Sequence, residues 1–342
     1  MFPIFNGTRQ GGVLSPALFS VYVEEIFVKL RNLGVGCYVG DVFMGAMGYC
    51  DDLVLLAPSR TAMQLMLKAC EEFGVQNNLN FSTDPDPAKS KTKCVFMCRN
   101  KKIMKPANLS LYDRELPWVR TATHLGNELC EDRTMDTDTR QKRAAFIDRS
   151  LEIREQFSFA HPMEVLRAVR LYCCDHYGSM LWDLEGNMAT QYFNVWNTCI
   201  KLTWGITRAT HTYFLDYLSG GLVSVKGDIL GRYAGFYRSL LYSPSKEVNI
   251  LARVVAKDIR STTGKNLRML ERETGGLTWA APVRMIRSEL GSREPTVPVQ
   301  EEWRVRYLGK LLEYRDMLVY EGEKDSVKLE SVQELIDSLC GS

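Results

Sequence analysis

The tetrapeptide Tyr49-Cys50-Asp51-Asp52 constrains this chain more than any other stretch. It lies between Met44-Gly45-Ala46-Met47-Gly48 and the apolar run Leu53-Val54-Leu55-Leu56-Ala57. A short apolar strand, a tight turn with adjacent carboxylates and a second strand predict a hairpin that presents anions at its tip. The run Leu53–Ala57 shows no polar alternation, so it reads as buried on both faces. Adjacent aspartates in a low-dielectric setting need a positive partner, and a divalent metal is the usual one. An acidic surface turn is the other reading of an Asp-Asp pair; the buried flank favours the metal.

A second element stands upstream, at Arg9-Gln10-Gly11-Gly12-Val13-Leu14-Ser15-Pro16. Ser15 suits an N-cap and Pro16 the first helical position. Apolar residues then recur at Leu18, Tyr22, Ile26, Leu30 and Leu33 before Gly34, predicting a helix of about five turns. The paired glycines let backbone approach a ligand closely, while Arg9 and Gln10 suit phosphate and base or sugar edges.

These two motifs, in this order and at this spacing, resemble the central palm of reverse transcriptases, above all those of non-LTR (LINE-type) retrotransposons. Asn80-Phe81-Ser82 through Lys89-Ser90-Lys91-Thr92-Lys93-Cys94-Val95-Phe96-Met97 is similar to the palm segment after the catalytic hairpin. Trp118 through Gly126 resembles the primer-grip strand pair. The resemblance covers roughly the first third of the chain. It implies an α+β fold: a partial right-hand polymerase palm, a helical thumb-like bundle and a helical C-terminal region. It further implies RNA-directed DNA polymerase chemistry, with an RNA template, a DNA primer, deoxynucleotides and Mg2+. Asp51 and Asp52 would coordinate the magnesium together with an upstream aspartate. Gln10 and Gly11 would lie along the template–nucleotide pair, Arg9 would bind substrate beside them, Tyr49 would pack beneath the primer end, and Lys91 would meet the departing pyrophosphate.

Two departures matter. Cys50 fills a slot where the family more often has another small or apolar residue. The aspartate-bearing strand that precedes the Arg-Gln-Gly motif in the family has no counterpart between Met1 and Thr8. Glu24 and Glu25 fall within the expected helix, and Asp41 is about ten residues from Asp51, up to ~30 Å if extended. The expectation is therefore a chain truncated before the first catalytic palm strand and inactive alone. The alternative is a non-catalytic remnant that binds nucleic acid.

Composition sets the remaining bounds. With 342 residues, 45% of them hydrophobic, the chain can fill sizeable cores in two or three domains. A net charge of +2 excludes a chain that is basic throughout. Cations concentrate instead at Lys89, Lys91, Lys93, Arg99, Lys101, Lys102 and Lys105, and again at Arg140, Lys142, Arg143 and Arg149. Lys101, Lys102, Lys105, Arg140, Lys142 and Arg143 are the candidate nucleic-acid contacts, although any one of them equally suits a solvated face. The ten cysteines form no C-x-x-C pair and the four histidines are scattered, so free thiols in a reducing, intracellular setting (nuclear or cytoplasmic) are expected. No apolar run approaches membrane-spanning length. The expected divisions are 1–126 (palm), 127–185 (thumb-like) and 186–342 (helical). Within them, helices are expected over Thr61–Phe73, ended by Gly74, over Thr134–Phe157, and from His161-Pro162 to Trp182. Ser261 to Gly264 reads as a loose polar stretch. Two last amphipathic helices are expected over Glu301–Tyr320 and Ser326–Leu339. The aromatics from Tyr192 to Tyr237 recur at helical spacing and read as core.

Overall fold

The computed structural model describes residues 12–84, 86, 89–98, 102–208, 212, 215–219 and 222–291, with scattered positions from 308 onward. The two helices expected after residue 300 fall mostly outside the described residues. Helices and short strands combine to an α+β structure. The chain divides into two compact units, residues 1–134 with 244–251 and residues 135–243 with 252–342.

The first unit opens with α1 (Ser15–Asn32). Ser15 is its first residue rather than its cap, because Leu14 occupies the cap position and no side chain bonds there. The hairpins β1 (Tyr38–Val39) with β2 (Val42–Phe43) and β3 (Ala46–Tyr49) with β4 (Asp52–Leu55) follow, then α2 (Arg60–Gln76). Ser59 caps α2, its Oγ accepting from the Ala62 N–H at 3.2 Å. Gly74 does not end this helix. It is buried within the last turn, where an added Cβ would lie 2.5 Å from the Tyr112 hydroxyl and 2.7 Å from the Leu79 carbonyl oxygen. The glycine therefore serves close packing rather than termination.

Ile26 and Leu30 of α1 meet Met66, Cys70 and Phe73 of α2 in a core that Leu53, Leu55 and Ala57 cover from the hairpin side. A second core holds Leu67 against β6 (Leu109–Leu111) and β7 (Arg114–Leu116). The polar side of α2 is stitched to β6. The Gln64 amide donates to the Ser110 carbonyl at 2.8 Å and accepts from its N–H at 3.0 Å, as a neighbouring strand would. Beyond it, β5 (Cys94–Val95) pairs in parallel with β8 (Trp118–Val119). The expected primer-grip stretch continues into β9 (Thr121–His124) and β10 (Asn127–Cys130), an antiparallel hairpin. Leu125 and Gly126 turn it with φ of 47° and 73°, the signs of a type I′ turn.

The second unit contains α3 (Asp136–Gln156), α4 (Pro162–Tyr172), a 3-10 turn (Ser179–Leu181), α5 (Asn187–Thr203), α6 (Leu215–Leu218), α7 (Val225–Leu241), the second half of α8 (Lys246–Lys257), α9 (Thr262–Glu273) and α10 (Val283–Gly291). One core joins Phe146, Leu166, Val169, Trp182, Tyr192, Trp196, Ile229, Tyr233, Tyr237, Leu270 and Ile286. Residues on both sides of the expected division at 185 thus share it, and Tyr192, Phe193, Trp196, Trp204, Tyr233 and Tyr237 of the aromatic series are core packing. In α3 the buried apolar residue is Phe146, whereas Ala144 and Leu151 are exposed. The helix expected through Trp182 ends at Tyr172, and Gly178 enters the 3-10 turn with a φ of 76°. Ser261 to Gly264 is a helix start: Ser261 Oγ accepts from the Gly264 N–H at 2.9 Å, and Gly275 and Gly276 close α9 with positive φ. Among the described residues no helix is long and apolar enough to cross a membrane.

Candidate active site

The β3–β4 register pairs Tyr49 with Asp52, Gly48 with Leu53, Met47 with Val54 and Ala46 with Leu55. That leaves Cys50 and Asp51 as a two-residue loop. Cys50 has a φ of 51° and Asp51 does not share the positive sign, the pattern of a type II′ turn. Glycine is favoured at the first position of that turn, so a Cβ there stores roughly 1–3 kcal/mol of strain. Tyr49 is 63% exposed, and Cys50, Asp51 and Asp52 are exposed too.

Behind the tip the hairpin is anchored on one face only. Leu53 and Leu55 point into the α1–α2 core, while Met47 is 46% and Leu56 38% exposed. The expectation of a strand buried on both faces is corrected: the alternation exists, but apolar residues fill its outer positions and conceal it. Gly48 sets the height of the hairpin over α1. A Cβ at that position would sit 2.5 Å from Phe27 Cζ, so only glycine lets β3 lie on the ring. Neither Gly48 nor Phe27 figures among the candidate residues from sequence. A glycine inside a strand next to the acidic turn is the signal that marks such a close approach.

Lys91 is exposed between two anchored neighbours. Buried Ser90 donates through Oγ to the Thr92 carbonyl at 2.9 Å, and Thr92 Oγ1 donates to the Ser82 carbonyl at 2.6 Å. The loop therefore fixes the backbone on either side of the lysine. Arg9, Gln10, Gly11 and Lys101 lie outside the described residues.

Residues 1–129 match the family described as reverse transcriptase (RNA-dependent DNA polymerase). The matched segment is similar to the reverse transcriptases of non-LTR retroelements. Over 68 residues it is 34% identical to the Retrovirus-related Pol polyprotein from type-2 retrotransposable element R2DM of Drosophila melanogaster, covering 20% of this chain and 6% of that protein. Over 66 residues it is 38% identical to the corresponding polyprotein from type-1 retrotransposable element R2 of Nasonia vitripennis, covering 19% and 6%. Each match thus spans a small fraction of its relative's length.

The basic candidates of the matched segment differ in what they offer a ligand. Lys91, Lys93 and Lys102 are exposed. Lys105 donates to Glu131 Oε2 at 2.6 Å, and Lys89 lies 4.0 Å from Asp86. In the second unit, Arg140 is exposed on α3, but Lys142 turns inward. Its ammonium bonds the Tyr177 carbonyl, lies 3.6 Å from Asp138 Oδ1 and sits over the Tyr177 and Trp182 rings, with only 15% of the side chain exposed. Asp138 in turn accepts from Trp182 Nε1 at 2.6 Å. Lys142 thus acts as a packing residue in this structure, while Arg143 is half-buried with an Nε that has no partner among the described residues.

A charge cluster in the second unit has no counterpart in the sequence reading. Asp228 Oδ2 accepts from His176 Nδ1 at 2.7 Å and Arg232 Nε at 3.0 Å, with Arg170 at 3.3 Å. Burial opposes ionisation of Asp228, but the His176 bond, the Arg170 charge and the Arg232 bond outweigh it and hold the carboxyl far below its usual range. Burial pushes the His176 pKa down despite the Asp228 bond. Arg170 also stacks over Trp196, 5.9 Å from the ring centroid. These contacts tie α4, α5 and α7 together.

Proposed function

We propose that this chain is part of an RNA-directed DNA polymerase that copies retroelement RNA, and that Asp51 and Asp52 are two of its metal-binding carboxylates. In this reading the first unit is the palm and the second begins with the thumb. The observation that carries it is the exposed Asp51-Asp52 tip on a hairpin seated over α1, within the segment that matches the family.

The donor chemistry fits magnesium. Two hard oxygen donors on one tip match an ion that takes one or two carboxylates and fills its other positions with waters and substrate phosphates. A divalent ion supplies charge neutralisation at the nucleotide phosphates and a lowered pKa for the primer hydroxyl. The residues of this chain do the holding and placing. Asp51 and Asp52 fix the ion relative to the strand ends, and the Tyr49 ring supports the primer terminus. Lys91 meets the leaving pyrophosphate as a cation or proton donor. Arg9, Gln10 and Gly11 line the template–nucleotide pair.

Among the described residues no third carboxylate, imidazole or thiol gathers with the pair, and residues 1–11 contain no acid. Two ligands on one hairpin do not fix two ions tightly. We therefore infer that these 342 residues do not polymerise by themselves. Purified protein, given a primer on an RNA template with magnesium or manganese, should show no extension. Extension that Asp51→Asn abolishes would overturn the inactivity and uphold the site. The second reading, nucleic-acid binding without catalysis, draws on the exposed Lys91, Lys93 and Lys102.

A further inference from the structure

The second unit contains a cleft that the polymerase reading does not use. Its volume is about 430 Å³, within the ~300–1,000 Å³ range of small-ligand sites. Helix α5 supplies one wall: Phe193, Asn194 and Asn197 line it, with Asn197 four residues after Phe193 and three after Asn194 and so a neighbour of both. The first turn of α7 contributes Lys226 and the end of α9 contributes Arg272.

The amides of Asn194 and Asn197 make no side-chain hydrogen bond to any described residue. Each offers one acceptor and two donors. Lys226 lies 3.1 Å from Glu273, and Arg272 lies 3.2 Å from Glu185, which also lines the cleft, and 3.8 Å from Glu273. These carboxylate contacts do not exhaust either cation, since an ammonium carries three N–H groups and a guanidinium five. The cleft thus combines an apolar aromatic ledge, two unspent amides on one wall and two cations.

That set matches an unstacked nucleotide. A base lays its face on an aromatic or apolar ledge, and an asparagine amide pairs with the donor and acceptor on the adenine edge. A phosphate takes the remaining N–H groups of lysine and arginine. We propose that this cleft holds one unstacked adenine nucleotide of a single-stranded nucleic acid, with Asn194 and Asn197 reading the base and Lys226 and Arg272 meeting the phosphate. The strand rests on the nucleic-acid reading above; the cleft itself would accept adenosine monophosphate alone.

The test has two arms, both on the full 342-residue chain. In the first, adenosine and uridine monophosphates are titrated and followed by saturation-transfer NMR. In the second, labelled A-rich and U-rich single-stranded RNA are titrated at low salt and followed by fluorescence anisotropy. The expected result is adenosine monophosphate binding and an A-over-U preference of about tenfold, consistent with one good amide–adenine pair. The variant Asn194→Ala/Asn197→Ala should lose both. Alanine is the better helix former at these positions, so the fold is retained, and circular dichroism checks it. Equal binding of the two nucleotides by the native chain, or a preference that survives the double substitution, overturns the proposal. Adenosine monophosphate binding that depends on the asparagines, without binding of either RNA, upholds the cleft and overturns the strand. Binding of neither nucleotide nor RNA overturns both.

Discussion

Replacing Gly48 with alanine should strain the seat of the acidic tip. The new Cβ would meet Phe27 Cζ at 2.5 Å and the two ring Cε atoms at 3.3 and 3.4 Å. Carbon atoms rest at about 3.5–4.0 Å, so the ring or β3 must move by roughly 1 Å. Overpacking of this size costs about 1–3 kcal/mol, and the smaller unfolded-state entropy of alanine returns about 0.4–1 kcal/mol. A net loss of about 1–2 kcal/mol is therefore expected in urea unfolding of the first unit. Phe27→Leu shortens the obstructing ring and should relieve the contact, so the two substitutions should couple by about 1 kcal/mol in a double-mutant cycle. The same displacement carries Tyr49 and Asp52 with it, because they continue β3 and begin β4. In a chain made competent for polymerisation, a 1 Å misplacement of the tip should lower the rate by about 100-fold. Additive stability losses for Gly48→Ala and Phe27→Leu would refute the claim that the glycine exists to seat the hairpin on the ring.

Asp228→Asn should destabilise the second unit by about 3 kcal/mol, since it withdraws the charged acceptor shared by His176, Arg170 and Arg232. Asp228 has a depressed folded pKa, so its contribution is present above the unfolded value of about 3.9 and fades as pH falls towards the folded one. Calorimetry at pH 7 and in acid should show the wild-type advantage shrinking in acid; a constant gap would contradict this. Changing Lys101, Lys102 and Lys105 together to glutamine should weaken primer–template binding for all sequences and flatten its salt dependence in anisotropy titrations. Lys142→Met should lower the melting temperature of the second unit more than it lowers nucleic-acid affinity, because its ammonium is spent on Tyr177 and Asp138.

The hairpin and α1 are legible in the sequence because their signals are local: an acidic two-residue turn between apolar runs, and a proline-led helical periodicity. What escapes depends on contacts between distant residues. Gly74 looks like a stop, but its role is set by Tyr112 and Leu79 packing against it. Leu53–Ala57 looks doubly buried because Val54 and Leu56 are apolar on the outer face. Lys142 looks like a solvated cation until Trp182 and Tyr177 come to lie beneath it. Ser261 to Gly264 carries the composition of a loop, yet a serine three residues before a glycine N–H is also a helix cap. The Asp228 cluster joins residues separated by 52 positions in the case of His176, a pairing that no spacing rule exposes.

The most direct test of the central claim is primer extension by a chain in which an aspartate-bearing palm strand from a close relative is fused in frame ahead of Met1. Magnesium-dependent extension is expected, reduced to background by Asp51→Asn and by Asp52→Asn. A fusion that folds, binds primer–template and still fails to extend would contradict the assignment of Asp51 and Asp52 as polymerase ligands.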